Sequence, residues 1–135
     1  MKAIETYIHT GEGYNPYLIT EHWQVAKLNH LDGHGLDQIE KMEVHRKTDE
    51  VFILLSGIAV LIASSQPDGK GSFEVVNMEP GVTYNIPMGV WHNIAMAPDA
   101  QIIIVENSNT HLGDVEYVAL DQDAGAILKR QIDRL

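Results

Sequence analysis

The segment 43–50, EVHRKTDE, places two carboxylates and an imidazole within a short stretch of chain. Glu43 and His45 are two positions apart, so on a strand their side chains point to the same face. Glu50 follows at an odd spacing, which sends it to the opposite face unless a turn or bulge at 46–49 redirects it. If a new strand starts at Glu50, Phe52 and Leu54 lie on the same face as Glu50. An ionised carboxylate beside two large apolar side chains is costly without a partner. A bound cation is one such partner, and a solvated hairpin is the simpler alternative.

A second segment, PGVTYNIPMGVWHNIAM at 80–96, favours the metal site. Gly81, Pro87 and Gly89 fix turns between β-rich stretches. A histidine directly after such a turn, here His92, is held firmly, and a metal ligand needs that preorganisation. A lone histidine beside Trp91 can equally be a hydrogen-bonded packing residue.

Taken together, the two segments resemble the two signature motifs of the cupin superfamily, G-x5-H-x-H-x3,4-E-x6-G and G-x5-P-x-G-x2-H-x3-N. Seven positions match at the family spacing: His45, Glu50, Gly57, Gly81, Pro87, Gly89 and His92. The resemblance implies an all-β fold, the cupin double-stranded β-helix or jelly-roll-like barrel. It implies one domain over 1–135, with the first motif at about 43–57 and the second at about 81–96.

Three motif positions differ from the family: Asp37 replaces the first glycine, Glu43 the first histidine and Met96 the last asparagine. Cupins typically bind a divalent metal through three histidines and one glutamate. The resemblance therefore implies that His45, Glu50 and His92 are metal ligands, with Glu43 as a fourth. Two imidazoles and two carboxylates neutralise a divalent ion and suit manganese, iron(II) or zinc.

Two other roles of the Glu43 replacement stay open. The carboxylate can remain off the metal and act as a catalytic general base, with its pKa set by burial and the nearby cation. Alternatively, the replacement weakens the site and the barrel binds no metal.

Four large side chains are expected to line a substrate pocket: Trp23, Phe52, Tyr84 and Met96. Core packing is the alternative for each. Met96 shares strand parity with His92, which makes it the best pocket candidate. Three further histidines lie in apparent loops and are interpreted as surface residues: His9, His34 and His111. The direction of His22 and His30, which flank a strand, is not fixed.

Short β-rich runs separated by turn signals are typical of a sandwich or barrel. We predict strands at 17–31, 39–45, 51–55, 58–64, 73–78, 82–86, 90–96, 101–106 and 115–120, and a turn in the loop 64–72. The tail is different, because Ile127, Leu128, Ile132 and Leu135 suit the stripe of a short C-terminal helix packed on the outside. Asp121 or Asp123 is its expected N-cap.

Composition limits the partners of the chain. With 135 residues and a formal charge of −10, it suits one acidic domain that repels nucleic acid. Without cysteine, a metal must be held by histidine and carboxylate ligands. The longest apolar run, 51–63, is too short to span a bilayer, and the N-terminus lacks the apolar core of a signal peptide. A cytoplasmic protein without membrane contact is expected, and the family resemblance implies a homodimer.

The resemblance implies a metal-dependent enzyme acting on a small polar molecule, such as a sugar or an organic acid, by isomerase-like chemistry. An iron-dependent dioxygenase is one alternative. The other is a non-catalytic cupin that binds or senses a small molecule.

Overall fold

A computed structural model describes residues 2–67 and 72–135; the central part of the turn predicted at 64–72 lies outside these residues. Two antiparallel five-stranded sheets face each other, with strand orders β1-β2-β9-β4-β7 and β10-β3-β8-β5-β6. The strands are β1 Gly13–Ile19, β2 Trp23–Asn29, β3 Lys41–Val44, β4 Glu50–Ser56, β5 Ala59–Ser64, β6 Phe73–Asn77, β7 Thr83–Ile86, β8 Trp91–Met96, β9 Gln101–Asn107 and β10 Glu116–Ala119. The helices are α1 Thr110–Gly113 and α2 Gln122–Asp133. This architecture confirms the predicted all-β class.

The single strand predicted at 17–31 is wrong, because the chain turns back on itself between β1 and β2. Thr20 makes the turn: its Oγ1 donates to the Trp23 carbonyl at 2.7 Å and accepts from the Trp23 N–H at 3.1 Å. A threonine hydroxyl thus does what glycine or proline does in more recognisable turns. Each of the other predicted strands matches an observed one, with ends displaced by two residues or fewer.

Two hydrophobic clusters hold the barrel. The first fills the space between the sheets and includes Phe52, Leu54 and Ile102. The second lies on the outer face of the sheet that contains β5 and β8, beneath α2. Since β5 and β8 are covered on both faces, their residues are buried almost throughout instead of alternating. His92 therefore sits on one of the most enclosed strands of the protein.

Helix α2 packs outside the barrel, as predicted. Asp121 is the N-cap, and its side chain accepts from the Ala124 N–H at 2.8 Å. The buried stripe is Ala124, Leu128 and Ile132, spaced four residues apart. Including Ile127 and Leu135 in that stripe was wrong, because they are 44% and 55% exposed. In the described ranges, no helix combines the length and apolar character that crossing a membrane requires.

Candidate metal centre

Strands from both sheets bring four candidate ligands together inside the barrel. Glu43 on β3 pairs in register with His92 on β8, and His45 directly follows β3. Glu50 enters from the other sheet as the first residue of β4. One ligand atom of each residue lies within 4.8 Å of the others.

The segment 46–49 is the predicted turn, and it carries the chain from one sheet to the other. The Asp114 carboxylate accepts from the backbone N–H groups of Arg46 at 2.7 Å and Lys47 at 2.9 Å. Thr48 is buried, and its hydroxyl accepts from the Asn107 N–H at 3.0 Å. These bonds fix the turn so that Glu50 enters the interior, on the same face of β4 as the buried Phe52 and Leu54.

Glu50 is the centre of the cluster. Its Oε2 lies 3.0 Å from His45 Nε2, and its Oε1 lies 3.0 Å from His92 Nε2. Glu43 is less closely held, with its Oε1 3.8 Å from His92 Nε2. The Glu43 side chain is 27% exposed, against 6% for Glu50. The three residues that match the cupin motif thus form the tight part of the cluster, and Glu43 lies at its edge.

Backbone carbonyls set which ring nitrogen of each histidine is available. His45 Nδ1 lies 2.6 Å from the Asp114 carbonyl, and His92 Nδ1 lies 2.9 Å from the Val90 carbonyl. A carbonyl can only accept, so each Nδ1 carries a hydrogen and donates it. In the neutral rings, Nε2 is left as a lone pair directed at the cluster, the arrangement that metal-binding histidines use.

The charges of the cluster fit a divalent cation. Burial lowers the pKa of His45, but Glu50 outweighs it and raises the pKa to about 9; the pKa of His92 is raised in the same way. Burial raises the pKa of Glu50, but the hydrogen bonds of His45 and His92 outweigh it and hold the pKa well below its ordinary value. Without a cation, the two rings must therefore take up protons to face Glu50. Among the described residues, the buried His45 Nε2 has no partner at a good hydrogen-bond angle, even though Glu50 Oε2 lies 3.0 Å away. A divalent ion replaces those protons and uses both lone pairs.

A cavity of about 210 Å³ opens beside the cluster, and Glu43, His45 and Glu50 form part of its wall. Phe52 also lines it, where the sequence predicted a pocket residue. The other three predicted pocket residues do not line this cavity: Trp23 is 47% exposed, Met96 belongs to the core between the sheets and Tyr84 packs against that core. Trp23 starts β2 on its outward face, so its neighbour Gln24 is the residue that points inward.

The fold itself is shared with known structures, although no family model and no curated protein matches the sequence. A cupin protein from Bacteroides fragilis is 15% identical over 83% of this chain and 90% of its own, with a TM-score of 0.54. KdgF from a Halomonas species is 14% identical over 78% of this chain and 89% of its own, with a TM-score of 0.53. The chain has the cupin fold. A variant of Streptomyces PAC13, solved with uridine, is 11% identical over 91% and 97% of the two chains, with a TM-score of 0.61.

Two histidines that the sequence placed at the surface line the cavity of this cupin barrel instead, His34 and His111. His34 Nδ1 lies 3.3 Å from the Ile94 carbonyl, and the backbone carbonyl of His34 accepts from the Met96 N–H at 2.7 Å. The loop 30–40 thus folds back onto β8 and carries His34 inward. His22, whose direction the sequence does not fix, has a side chain that is 83% exposed.

Sequence reasoning missed a buried carboxylate in the cupin barrel, Glu106 on β9, which lines the cavity and is 5% exposed. Its Oε1 accepts from the Tyr14 hydroxyl and, at 3.0 Å, from Gln24 Nε2. Burial and the adjoining Glu50 raise the pKa of Glu106 to about 8. Strand parity was the available signal, since Glu106 lies on the same strand face as the inward-facing Ile102 and Ile104.

Proposed function

We propose that this cupin protein binds one divalent metal ion through His45, Glu50 and His92, and acts on a small polar molecule by isomerase-like proton transfer. One observation carries the metal site: two buried imidazoles, each anchored at Nδ1 by a backbone carbonyl, present Nε2 to the same carboxylate. When bound there, the metal supplies a Lewis acid that polarises a carbonyl or hydroxyl group.

Glu43 is suited to move the proton. It lies at the edge of the cluster, it lines the cavity, and its side chain is more exposed than that of Glu50. Burial raises the pKa of Glu43 above its ordinary value, against the opposing effect of His92. A carboxylate whose pKa is moved toward neutrality accepts and returns a proton more effectively than an ordinary one.

The cavity limits the size of the molecule. Its volume of about 210 Å³ corresponds to roughly seven water molecules at about 30 Å³ each. That is below the range of about 300–1,000 Å³ usual for drug-sized ligands. A sugar or an organic acid of up to about six carbon atoms is the class that this space accommodates.

Elemental analysis of the purified protein tests the metal site. We expect about one manganese, iron or zinc ion per wild-type chain, and almost none in the double variant His45→Ala, His92→Ala. His22→Ala is a matched control, because that side chain is 83% exposed and lies outside the cluster. Equal metal content in the wild type and the double variant would refute the site.

Hydrogen exchange tests the proton transfer on a panel of compounds, so the natural substrate need not be identified first. Metal-loaded protein is incubated in D2O with aldoses and ketoses, and deuterium uptake next to the carbonyl carbon is followed by NMR. We expect exchange with the wild type and a loss of at least about a hundredfold in Glu43→Gln, the usual scale for a general base. The metal content of Glu43→Gln distinguishes the two possible roles of Glu43. If the variant keeps its metal, Glu43 acts as a base; if the variant loses the metal, Glu43 is a ligand. Exchange unchanged in the variant would exclude Glu43 as the base.

The ligand set also favours a second candidate, an iron-dependent dioxygenase. Two histidines and one carboxylate are the donor set of non-haem iron(II) oxygenases. Oxygen uptake by the iron-loaded protein across the same panel, extended to organic acids, tests this function. If metal is bound but neither hydrogen exchange nor oxygen uptake occurs, the observations favour a non-catalytic binding protein.

A further inference from the structure

Four polar side chains from distant parts of the chain meet at the cavity and form what we call the Gln24 network: Tyr14, Gln24, Glu106 and His111. Gln24 is at its centre and is fully buried. Its hydrogen bonds join β2 to β1, to β9 and to the helix α1, which follows β9. The proposed metal centre does not use these residues.

The orientation of the Gln24 amide follows from one backbone contact. The Asn109 N–H lies 2.9 Å from Gln24 Oε1, and a backbone N–H can only donate, so the atom facing it is the oxygen. Asn109 reaches this position in the left-handed conformation, with φ of 63°, which asparagine tolerates better than most residues. The amide nitrogen must therefore face the other side, toward Glu106 Oε1 at 3.0 Å and His111 Nδ1 at 3.3 Å.

The amide nitrogen of Gln24 then fixes the tautomer of His111. The amide nitrogen faces three atoms: Glu106 Oε1, the Tyr14 hydroxyl oxygen at 3.1 Å and His111 Nδ1. An amide nitrogen only donates, so an Nδ1 hydrogen on His111 would have no acceptor there, and Nδ1 faces the amide as an acceptor. Tyr14 uses its own hydrogen on Glu106 and does not compete as a donor to His111. Because His111 Nδ1 accepts, the neutral ring carries its hydrogen on Nε2. His111 is thus a hydrogen-bond donor at the cavity wall.

His34 has the opposite tautomer to His111. Its Nδ1 faces the Ile94 carbonyl at 3.3 Å, and a carbonyl only accepts, so Nδ1 carries the hydrogen and Nε2 is an acceptor. Ile94 is on β8 in one sheet, whereas Gln24 is on β2 in the other. The cavity therefore has one donor imidazole and one acceptor imidazole, held by different sheets.

We infer that His111 and His34 position the ligand, His111 by donating to a ligand oxygen and His34 by accepting from a ligand hydroxyl, with Gln24 as the positioning residue for His111. The ligand class that provides both groups is a neutral hydroxy-carbonyl compound of monosaccharide size. The lining includes three carboxylates, Glu43, Glu50 and Glu106, against one lysine, Lys41, so a neutral compound suits the cavity better than an organic acid. This inference rests on the proposed function, because the ligand must occupy the cavity beside the metal centre.

Nitrogen-15 NMR of the histidine rings tests the tautomers independently of metal and ligand. At pH 8, we expect the neutral ring of His111 to carry its hydrogen on Nε2 and that of His34 on Nδ1. Gln24→Met, of similar length, should release His111 to a mixture of tautomers and leave His34 unchanged. An Nδ1 hydrogen on His111 in the wild type would overturn the inference, as would an unchanged His111 in folded Gln24→Met. If that variant does not fold, the wild-type spectrum alone decides.

Calorimetric titration of the zinc-loaded protein with D-xylose tests the ligand. His111→Ala should weaken binding about tenfold, the effect of one lost hydrogen bond, while His111→Gln keeps a donor and should stay within about threefold. D-xylonate, the corresponding acid, should bind at least about tenfold more weakly than D-xylose. Wild-type protein that holds zinc but does not bind D-xylose, or wild-type affinity in His111→Ala, would overturn the inference and leave the metal site standing. Failure to hold zinc would instead count against the proposed function.

Discussion

Two polar regions meet at the cavity, the metal cluster (Glu43, His45, Glu50 and His92) and the Gln24 network, and their charges and hydrogen bonds are balanced in different ways. In the metal cluster, the Nε2 atoms of His45 and His92 face the oxygens of Glu50 at 3.0 Å, which is favourable only with added protons or a cation. In the Gln24 network, an amide and a phenol donate to a carboxylate and a ring nitrogen. Its donors and acceptors are thus largely matched within the protein. The cluster should therefore respond strongly to metal, and the network weakly.

Metal addition should separate the two regions most clearly. A ligand that binds only the folded state stabilises it by about 4 kcal/mol when its free concentration is a thousandfold above Kd. We expect a rise of this size when zinc is added to chelator-treated wild type in urea unfolding experiments. Folded Gln24→Met should show the same rise, and His92→Ala almost none. A full rise in His92→Ala would place the metal outside the cluster.

Proton uptake gives the metal-free protein a pH dependence of definite sign. The pKa of His45 rises from 6.5 to about 9 on folding, so its contribution to stability is full below about pH 6.5 and is lost as the pH rises through 9. The pKa of Glu106 rises from 4.5 to about 8, which acts in the same direction. We therefore expect the free energy of unfolding of metal-free protein to fall between pH 6 and 9.

Zinc should reverse or flatten that fall, because ligand histidines must be deprotonated and metal affinity rises with pH. Urea unfolding at several pH values, with chelator and with zinc, checks both trends. Stability of the metal-free protein that increases from pH 6 to 9 would contradict the protonated cluster.

The two regions also differ in how far the sequence predicts them. The cluster depends on spacings within two short segments, 43–57 and 81–96, so the motif pattern alone identifies its members. The network has no such pattern, since Gln24 and Tyr14 reach Glu106 across 82 and 92 positions of the chain. The pairing of β1 with β2 and of β2 with β9 brings them together. The alternation of side chains along each strand did indicate which residues point inward.

Parity did not show how far along the barrel an inward side chain lies. Ile94 and Met96 are both buried on β8, yet Ile94 lines the cavity and Met96 packs in the core between the sheets. The position of His111 depended on a short helix and a left-handed Asn109 that no periodicity signals.

The variant Glu106→Gln, for which we expect the smallest effect, tests whether the cluster and the network are separate. Glu106 of the network lies beside Glu50 of the cluster. Glu106 Oε2 is buried without a donor beside the Glu50 carboxylate. In Glu106→Gln, the amide oxygen can keep the bonds from Tyr14 and Gln24, while the amide nitrogen donates to Glu50. Stability at pH 7 should change by less than about 1 kcal/mol.

In Glu106→Gln, zinc should still bind, and the fall in stability above pH 7 should become shallower. Glu50→Gln is the matched control, since it makes the same chemical change at the cluster centre and should abolish zinc binding. Urea unfolding and zinc titration of both variants give the comparison. If Glu106→Gln loses zinc as completely as Glu50→Gln, the two regions are a single site and Glu106 belongs to the metal centre.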